Sequence, residues 1–383
     1  MVSRSPTRAD IVIVGAGPAG SYLAYLLAKE GLKPIIFDHS HPREKPCGGG
    51  VSSFALGKYQ ILQEVKHLGD LGIKLKIISP KGEEAVIFGK KECLSISREV
   101  LDQHLLKKAI SKGAVLIPER VISIERTRGG FLIITEKSTT FCEIIIGADG
   151  VNSLVRKTFV NPIGKENLAI VVGYFGSCSP DDVEIFKYYK EFPGYAYFFK
   201  RKTDCSLGIG TGLIEAETID LRGYLTKFIK EYYPQIKLKK FWSALIPQIS
   251  DPKFFDLPCA GDNWALIGDA AGHVDSITGE GILYAIWSAE LLAKAIMHGS
   301  IKKFDELWQE EYGEELRHKA KELDKSYDPV LLERMVRMAK RSKTFGTIVH
   351  EYMMHEIPAK KLNRAIISRS PRILWDIIGK KWV

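Results

Sequence analysis

The sequence predicts an α/β protein in three parts: a Rossmann-type parallel-sheet domain, an antiparallel-sheet domain and a C-terminal helical region. Three stretches carry this reading. Ile11–Asp38 reads as strand, glycine turn, helix and strand, residues 168–210 turn to all strand, and helices rich in Lys and Glu follow Gly299.

In the first stretch, the β-branched run Ile11–Val14 reads as a buried parallel strand, and Leu23, Leu26 and Leu27 mark one face of the helix that follows. Gly31 supplies a left-handed stop, and Pro34–Phe37 returns as a second strand ending in Asp38. Between them lies Gly15-Ala-Gly17-Pro-Ala-Gly20. Gly15 permits the tight turn, Gly17 lets backbone approach a pyrophosphate, and Gly20 lets helix and strand pack closely. The helix start offers free N–H groups and a positive dipole end to phosphates. Asp38, eighteen residues after Gly20, is placed to accept hydrogen bonds from a ribose. The unit predicts dinucleotide binding.

Arg4 and Arg8 before the uncharged run Ile11–Ala28 mimic a signal peptide, but Asp10 and the glycines inside the run belong to a strand–turn–helix unit. The expectation is a cytoplasmic protein with no membrane span. With 383 residues and 45% hydrophobic content the chain can bury a large core and divide into domains. Six scattered cysteines without a C-x-x-C pair fit reduced thiols better than a disulfide framework or a zinc site. The charge of +9 comes with no nucleic-acid recognition motif, so nucleic acid is not expected as a partner; an anionic surface or substrate accounts for the charge equally well.

Next comes a loop, Ser40–Ser53, in which Cys47 precedes Gly48, Gly49 and Gly50; such a run allows close approach to a flat ligand. Phe54–Leu68 reads as a helix, and Ile73–Phe88 as strands about a Pro80-Lys81-Gly82 turn. Ser97–Lys112 is a helix with Arg98 in its first turn, where the dipole disfavours a cation. Two readings of Arg98 stand: a solvated side chain, or one that reaches phosphates. Strands at 115–117, 121–124, 131–135 and 144–146 lead to Gly147-Ala148-Asp149-Gly150, a strand-end turn.

In the second domain Tyr195, Tyr197 and Phe199 alternate and therefore share a face, either core or the wall of an apolar pocket. A helix covers about Ile219–Tyr233. The chain then returns to the first domain with the strand Trp264–Ile267, Gly268-Asp269, and Gly279-Glu280-Gly281-Ile282 opening an apolar helix. That second helix start is also anion-friendly and suits the pyrimidine end of a flavin. The implied boundaries are residues 1–72, 95–160 and 259–299 for the nucleotide-binding domain, 73–94 and 161–258 for the antiparallel domain, and 300–383 for the helical region. The tail gathers Arg364, Arg369, Arg372, Lys380 and Lys381 around Ile366, Ile367, Ile373, Leu374, Trp375, Ile377 and Trp382. Such a basic amphipathic end packs on the body or lies on a membrane surface. His350 and His355 are five apart, which turns them off a common helical face, so no metal site is expected.

Taken together, GAGPAG with Asp38, REKPCGGGVSS, SREVLDQHL, IIGADGVNSLVR and LIGDAAGHVDSITGEGI resemble the flavoproteins of the p-hydroxybenzoate hydroxylase superfamily. The KPCGGG loop and the GDAAG…TGEGI block resemble its geranylgeranyl reductase branch. The resemblance spans residues 9–300 and implies FAD as cofactor and reduction of C=C bonds in the prenyl chains of lipids or quinones. It places Ala19 and Asp38 by the adenosine half, Cys47, Gly48 and Gly50 with Arg98 and Val121 around the cofactor, and Asp269, Gly281 and Ile282 at its pyrophosphate, ribityl and pyrimidine groups. It also implies an external electron donor, NAD(P)H or ferredoxin. Where the family often has Y-x-W-x-F-P, this chain has Tyr195-Ala-Tyr197-Phe-Phe199-Lys200, which leaves the substrate open. Cys47 is the candidate catalytic residue, as proton donor or ring contact, and Tyr195, Tyr197 and Phe199 are the candidate substrate wall. Two rival readings share the nucleotide domain: an aromatic monooxygenase and a non-catalytic flavin- or lipid-binding protein.

Overall fold

The computed structural model describes residues 7–179 and 182–379; Arg4, Lys380, Lys381 and Trp382 lie outside the described residues. Strand Thr7–Val14 lies between Ile35–Phe37 and Thr139–Gly147, parallel to both. Val115–Ile117 extends the sheet beyond Ile35–Phe37, and Trp264–Leu266 pairs with the end of Thr139–Gly147. The start of that strand carries the antiparallel hairpin Val121–Thr127/Gly130–Thr135, completing seven strands. Ile11, Val12, Ile13 and Val14 are all buried, as a strand covered on both faces must be. Helix Pro18–Lys29 packs on helices Arg98–Ser111 and Ile282–Met297.

The register has a functional consequence. Val14 pairs with Gly147, and Gly147 with Leu266, so three strands end on one line. The loops that follow them leave the same sheet edge, where α/β folds bind ligands. The turn after Val14 needs its glycines: Gly15 has φ +105°, and a Cβ on Gly20 would sit 1.9 Å from the Gly15 carbonyl oxygen.

The second sheet has eight strands in the spatial order Lys237–Pro247, Leu168–Ser177, Cys205–Gly212, Gly194–Lys200, Ile185–Tyr188, Asp70–Ile78, Glu84–Ser95 and Gly50–Val51. Among the described residues of this sheet, Ile185–Tyr188 beside Asp70–Ile78 is the one parallel pair. Alternation gives the sheet two apolar faces. Phe198, Leu207 and Ile209 pack under helix Leu221–Tyr232, whereas Leu75, Phe186, Tyr197 and Trp242 belong to a cluster with helices Pro329–Arg341 and Lys343–Met353.

Phe54–Leu68 is not one helix. It breaks at Tyr59, extended at φ −112° and ψ 112°, into Ser53–Lys58, Gln60–Gln63 and a tight turn Lys66–Leu68. The break buries the Tyr59 ring and brings its hydroxyl 3.2 Å from Glu290, a tertiary demand that helical periodicity does not reveal. At the C-terminus, helices Leu362–Ser368 and Ser370–Ile378 turn Ile366, Ile373 and Ile377 onto the second sheet's cluster. Ile367, Leu374, Trp375 and Ile378 face outward, Trp375 at 75% exposure. Among the described residues no helix is long and apolar enough to cross a membrane.

Candidate active site

Two cavities meet where the sheets meet. The first runs along the edge of the parallel sheet, past Gly17, Ala19, Arg98, Gly150 and Asp269 to Gly281 and Ile282. The second opens on the antiparallel sheet and is lined by Leu75, Val171, Phe186, Tyr195, Tyr197, Phe199, Trp242, Met353 and Met354. Pro46, Cys47, Ala244, Ile246, Gly279, Gly281 and Ile282 line both, so the two cavities adjoin along these residues.

The first cavity is walled by the starts of two long helices. Gly17 caps Pro18–Lys29 and Gly281 caps Ile282–Met297, neither with a side-chain hydrogen bond, so backbone N–H groups are left for a ligand. A Cβ on Gly17 would meet nothing nearer than 4.0 Å, and one on Gly150 nothing within 4 Å. Lys45 lies 3.5 Å from Asp269 on the same wall. An elongated group with phosphates at one end and an anion-tolerant ring at the other fits these residues.

Arg98 is not solvated. It is 4% exposed and forms a bidentate pair with Asp102, with both N–O distances 2.9 Å. Burial alone would lower its pKa, but Asp102 holds the guanidinium firmly charged, beside the Cys47 thiol. Asp102 also lies 3.2 Å from His41 Nε2, and His41 Nδ1 lies 2.8 Å from Asp38. Burial opposes the charged imidazole, yet the nearby carboxylates of Asp102 and Asp38 raise His41 above its ordinary value. A buried chain of alternating charge thus joins Asp38, His41, Asp102 and Arg98.

Asp38 is committed to this chain and to its own loop. Its oxygens accept the N–H groups of Ala16, Ser40 and His41 and the Ser40 hydroxyl, besides facing the imidazole. Burial would raise its pKa, but His41 and these N–H groups hold it well below the usual range. A ribose hydroxyl would have to share an oxygen with a protein donor. Val121 sits on the outer hairpin strand, opposite Thr135, and lines neither cavity.

Cys47 sits at the junction. Its sulfur accepts the Gly49 N–H at 3.3 Å, and its carbonyl accepts the Ser206 hydroxyl at 2.9 Å. Phe199 covers the glycines after it, since a Cβ on Gly48 would lie 2.5 Å from the ring. Tyr195, Tyr197 and Phe199 therefore wall the second cavity. Tyr195 also donates to the Thr278 carbonyl at 2.5 Å, tying the antiparallel sheet to the 278–281 loop.

Sequence reasoning missed several lining residues. Trp242, from a different strand, brings a tryptophan to the cavity although Tyr197 replaces one on its own strand. Glu184 and Glu280 are the carboxylates among its lining residues. Burial pushes Glu184 up to about 7, while the Ser95 hydroxyl, donating at 2.7 Å, opposes the rise. Glu280 stood in view between two motif glycines.

The fold and the paired cavities define a nucleotide-binding protein of Rossmann type with an apolar second site. The family model described as an NAD(P)-binding Rossmann-like domain matches residues 13–65. An uncharacterised protein of Methanosarcina barkeri is 32% identical over 75% of this chain and 74% of its own. Digeranylgeranylglycerophospholipid reductase of Methanothrix thermoacetophila is 26% identical over 97% of this chain and 98% of its own. Among solved structures, a geranylgeranyl bacteriochlorophyll reductase-like protein of Thermoplasma acidophilum superimposes with a TM-score of 0.76 at 20% identity, covering 95% of this chain and all of that one. The chain belongs to the same family as the Methanosarcina barkeri protein, and its sequence and fold are similar to those of the geranylgeranyl reductases.

Proposed function

We propose that this protein is an FAD-dependent reductase that saturates C=C bonds in the prenyl chains of lipids or isoprenoid quinones. The observation that carries the reading is the junction: a cavity between two uncapped helix starts opens, across Cys47 and Gly279–Ile282, into a cavity lined by rings and aliphatic chains. The aliphatic and aromatic side chains that line the second cavity are the surface a long apolar chain would meet.

FAD, when bound, would supply the hydride. The helix starts at Gly17 and Gly281, with Ala19, Arg98 and Asp269, are the groups that would hold it. The apolar wall holds an alkene against the junction and excludes water, and orientation matters because an isolated alkene is a poor hydride acceptor. Cys47, at that point, contacts the reacting partners. Its expected contribution is placement, since Gly49 donates to the sulfur and Arg98 faces it.

The outward face of the last two helices supports contact with a bilayer. Ile367, Leu374, Trp375 and Ile378 stand exposed beside Arg364 and Arg372, the pattern of a surface-lying helix. A lipid substrate would then enter from the surface on which the protein rests. The reading is tested with pre-reduced protein and a digeranylgeranyl lipid under argon. Flavin reoxidation with a gain of two hydrogens per double bond supports it; substrate-dependent oxygen uptake with hydroxylation of an aromatic ring replaces it with a monooxygenase.

A further inference from the structure

Alkene saturation needs a proton as well as a hydride, and the cavity holds two carboxyl groups that differ in what lies behind them. Glu184 accepts from Ser95 and stands beside Asp70 and Lys200. Glu280 lies between Gly279 and Gly281, which line both cavities. Its Oε1 accepts the Ser52 N–H at 3.0 Å, and its Oε2 lies 2.9 Å from His355 Nε2. His355 in turn lines a third cavity, walled by Glu310, Glu311, Glu314, Glu315 and Lys360. Two side chains, end to end, link an acid-lined cavity to the apolar one.

The backbone at His355 is unusual. It has φ +59° and is the one non-glycine residue with positive φ among those described. It follows the end of helix Lys343–Met353, where helices commonly place glycine. An imidazole kept in that conformation points to a use for the side chain. The groups facing it from the neighbouring elements are Glu280, Asp275 at 3.5 Å, the Tyr284 ring and, through Asp275, Lys319 at 2.9 Å with Glu315 beyond. Asp275 and Glu280 are balanced by Lys319 only if the imidazole is charged. Burial and Lys319 oppose that charge, yet Glu280 and Asp275 raise His355 above its ordinary value.

We propose that Glu280 delivers the proton that alkene saturation requires and that His355 refills it from the acid-lined cavity. The assignment deepens the prenyl-reductase reading and rests on it. In the balanced step the Nε2 proton of the His355 imidazolium passes to the Glu280 carboxylate, which hands it to one alkene carbon as the π bond breaks, while the other carbon takes a hydride with the two electrons that a reduced flavin would supply. The neutral imidazole then regains a proton from solvent in the third cavity.

Two measurements test this. In holoprotein labelled with ¹⁵N-histidine, both His355 nitrogens should carry protons at pH 7, and Glu280→Gln should lower the titration midpoint by a pH unit or more. A neutral imidazole in the wild type overturns the relay. In single-turnover reduction of a geranylgeranyl lipid by pre-reduced protein, Glu280→Gln should be about 10²–10⁴-fold slower. His355→Ala should be slow and regain rate with added imidazole, which a purely structural role would not allow. Wild-type rate in Glu280→Gln overturns the proposal, as does a rate lost in Glu184→Gln and kept in Glu280→Gln. A wild-type protein that reduces no prenyl alkene instead overturns the reductase reading itself.

Discussion

Replacing Asp102 with Ala tests the buried charge chain beneath the nucleotide cavity. The carboxylate is 0% exposed, takes two N–H groups of Arg98 and lies 3.2 Å from His41 Nε2. Burial would raise its pKa, but Arg98 and His41 hold it below the usual range, so it is charged at neutral pH. The substitution strands the guanidinium, which cannot shed its proton, in a site with 4% exposure. His41 can relieve itself by deprotonating; Arg98 cannot. Breaking a buried pair from one side costs about 3–5 kcal/mol, a large share of a typical stability of about 5–15 kcal/mol. The same loss frees the 38–50 loop, so flavin affinity should fall at least about tenfold, as about 1.4 kcal/mol of that energy would produce. Urea unfolding and flavin-fluorescence titration of Asp102→Ala read both effects. A midpoint and an affinity unchanged from wild type would refute the chain as a structural unit.

Cys47→Ala should slow single-turnover alkene reduction while leaving bound flavin in place, and a wild-type rate would remove the cysteine from catalysis. Tyr197→Asp should abolish turnover and keep the flavin spectrum, because the ring walls the apolar cavity rather than the nucleotide site; full activity would show the wall is elsewhere. Acid should destabilise the fold through two buried, uncharged histidines: burial, aided by Arg156, takes His273 down to about 3, and burial takes His350 down to about 4 despite Glu351 and Glu356. Unfolded histidine takes up its proton near pH 6.5, so this stability is complete above that pH and lost below it, by about 2 kcal/mol per residue at pH 5. Thermal melts at pH 7 and 5 should show the loss, smaller in His350→Gln, and an unchanged pH dependence in that variant would contradict it. Trp375→Ser should reduce sedimentation with vesicles rich in anionic lipid, and equal sedimentation would separate the tail from the membrane.

What the sequence made legible was local. The Gly15–Gly20 turn could be read because its chemistry lies within ten residues, and the Tyr195–Phe199 face because strand alternation is local too. Relations across the chain were hidden. Nothing near Arg98 in sequence shows that His41 and Asp38 continue its pair with Asp102, and a cation in a first helical turn reads equally well as solvated. Helical spacing treated His350 and His355 as one helix and gave no sign that the helix ends at Met353, leaving the His355 imidazole 2.9 Å from Glu280. Trp242 reaches the cavity only through sheet order, its strand lying three places from Gly194–Lys200 with Leu168–Ser177 and Cys205–Gly212 between them.

The central claim is that the two cavities bring a reduced flavin and a prenyl chain together. Anaerobic mixing of photoreduced holoprotein with a digeranylgeranyl lipid, followed by absorbance at the flavin band and by mass spectrometry of the lipid, tests it most directly. The account predicts reoxidation matched by a mass increase of two hydrogens per flavin. A flavin that stays reduced with the lipid unchanged, although oxygen reoxidises it readily, would contradict the claim.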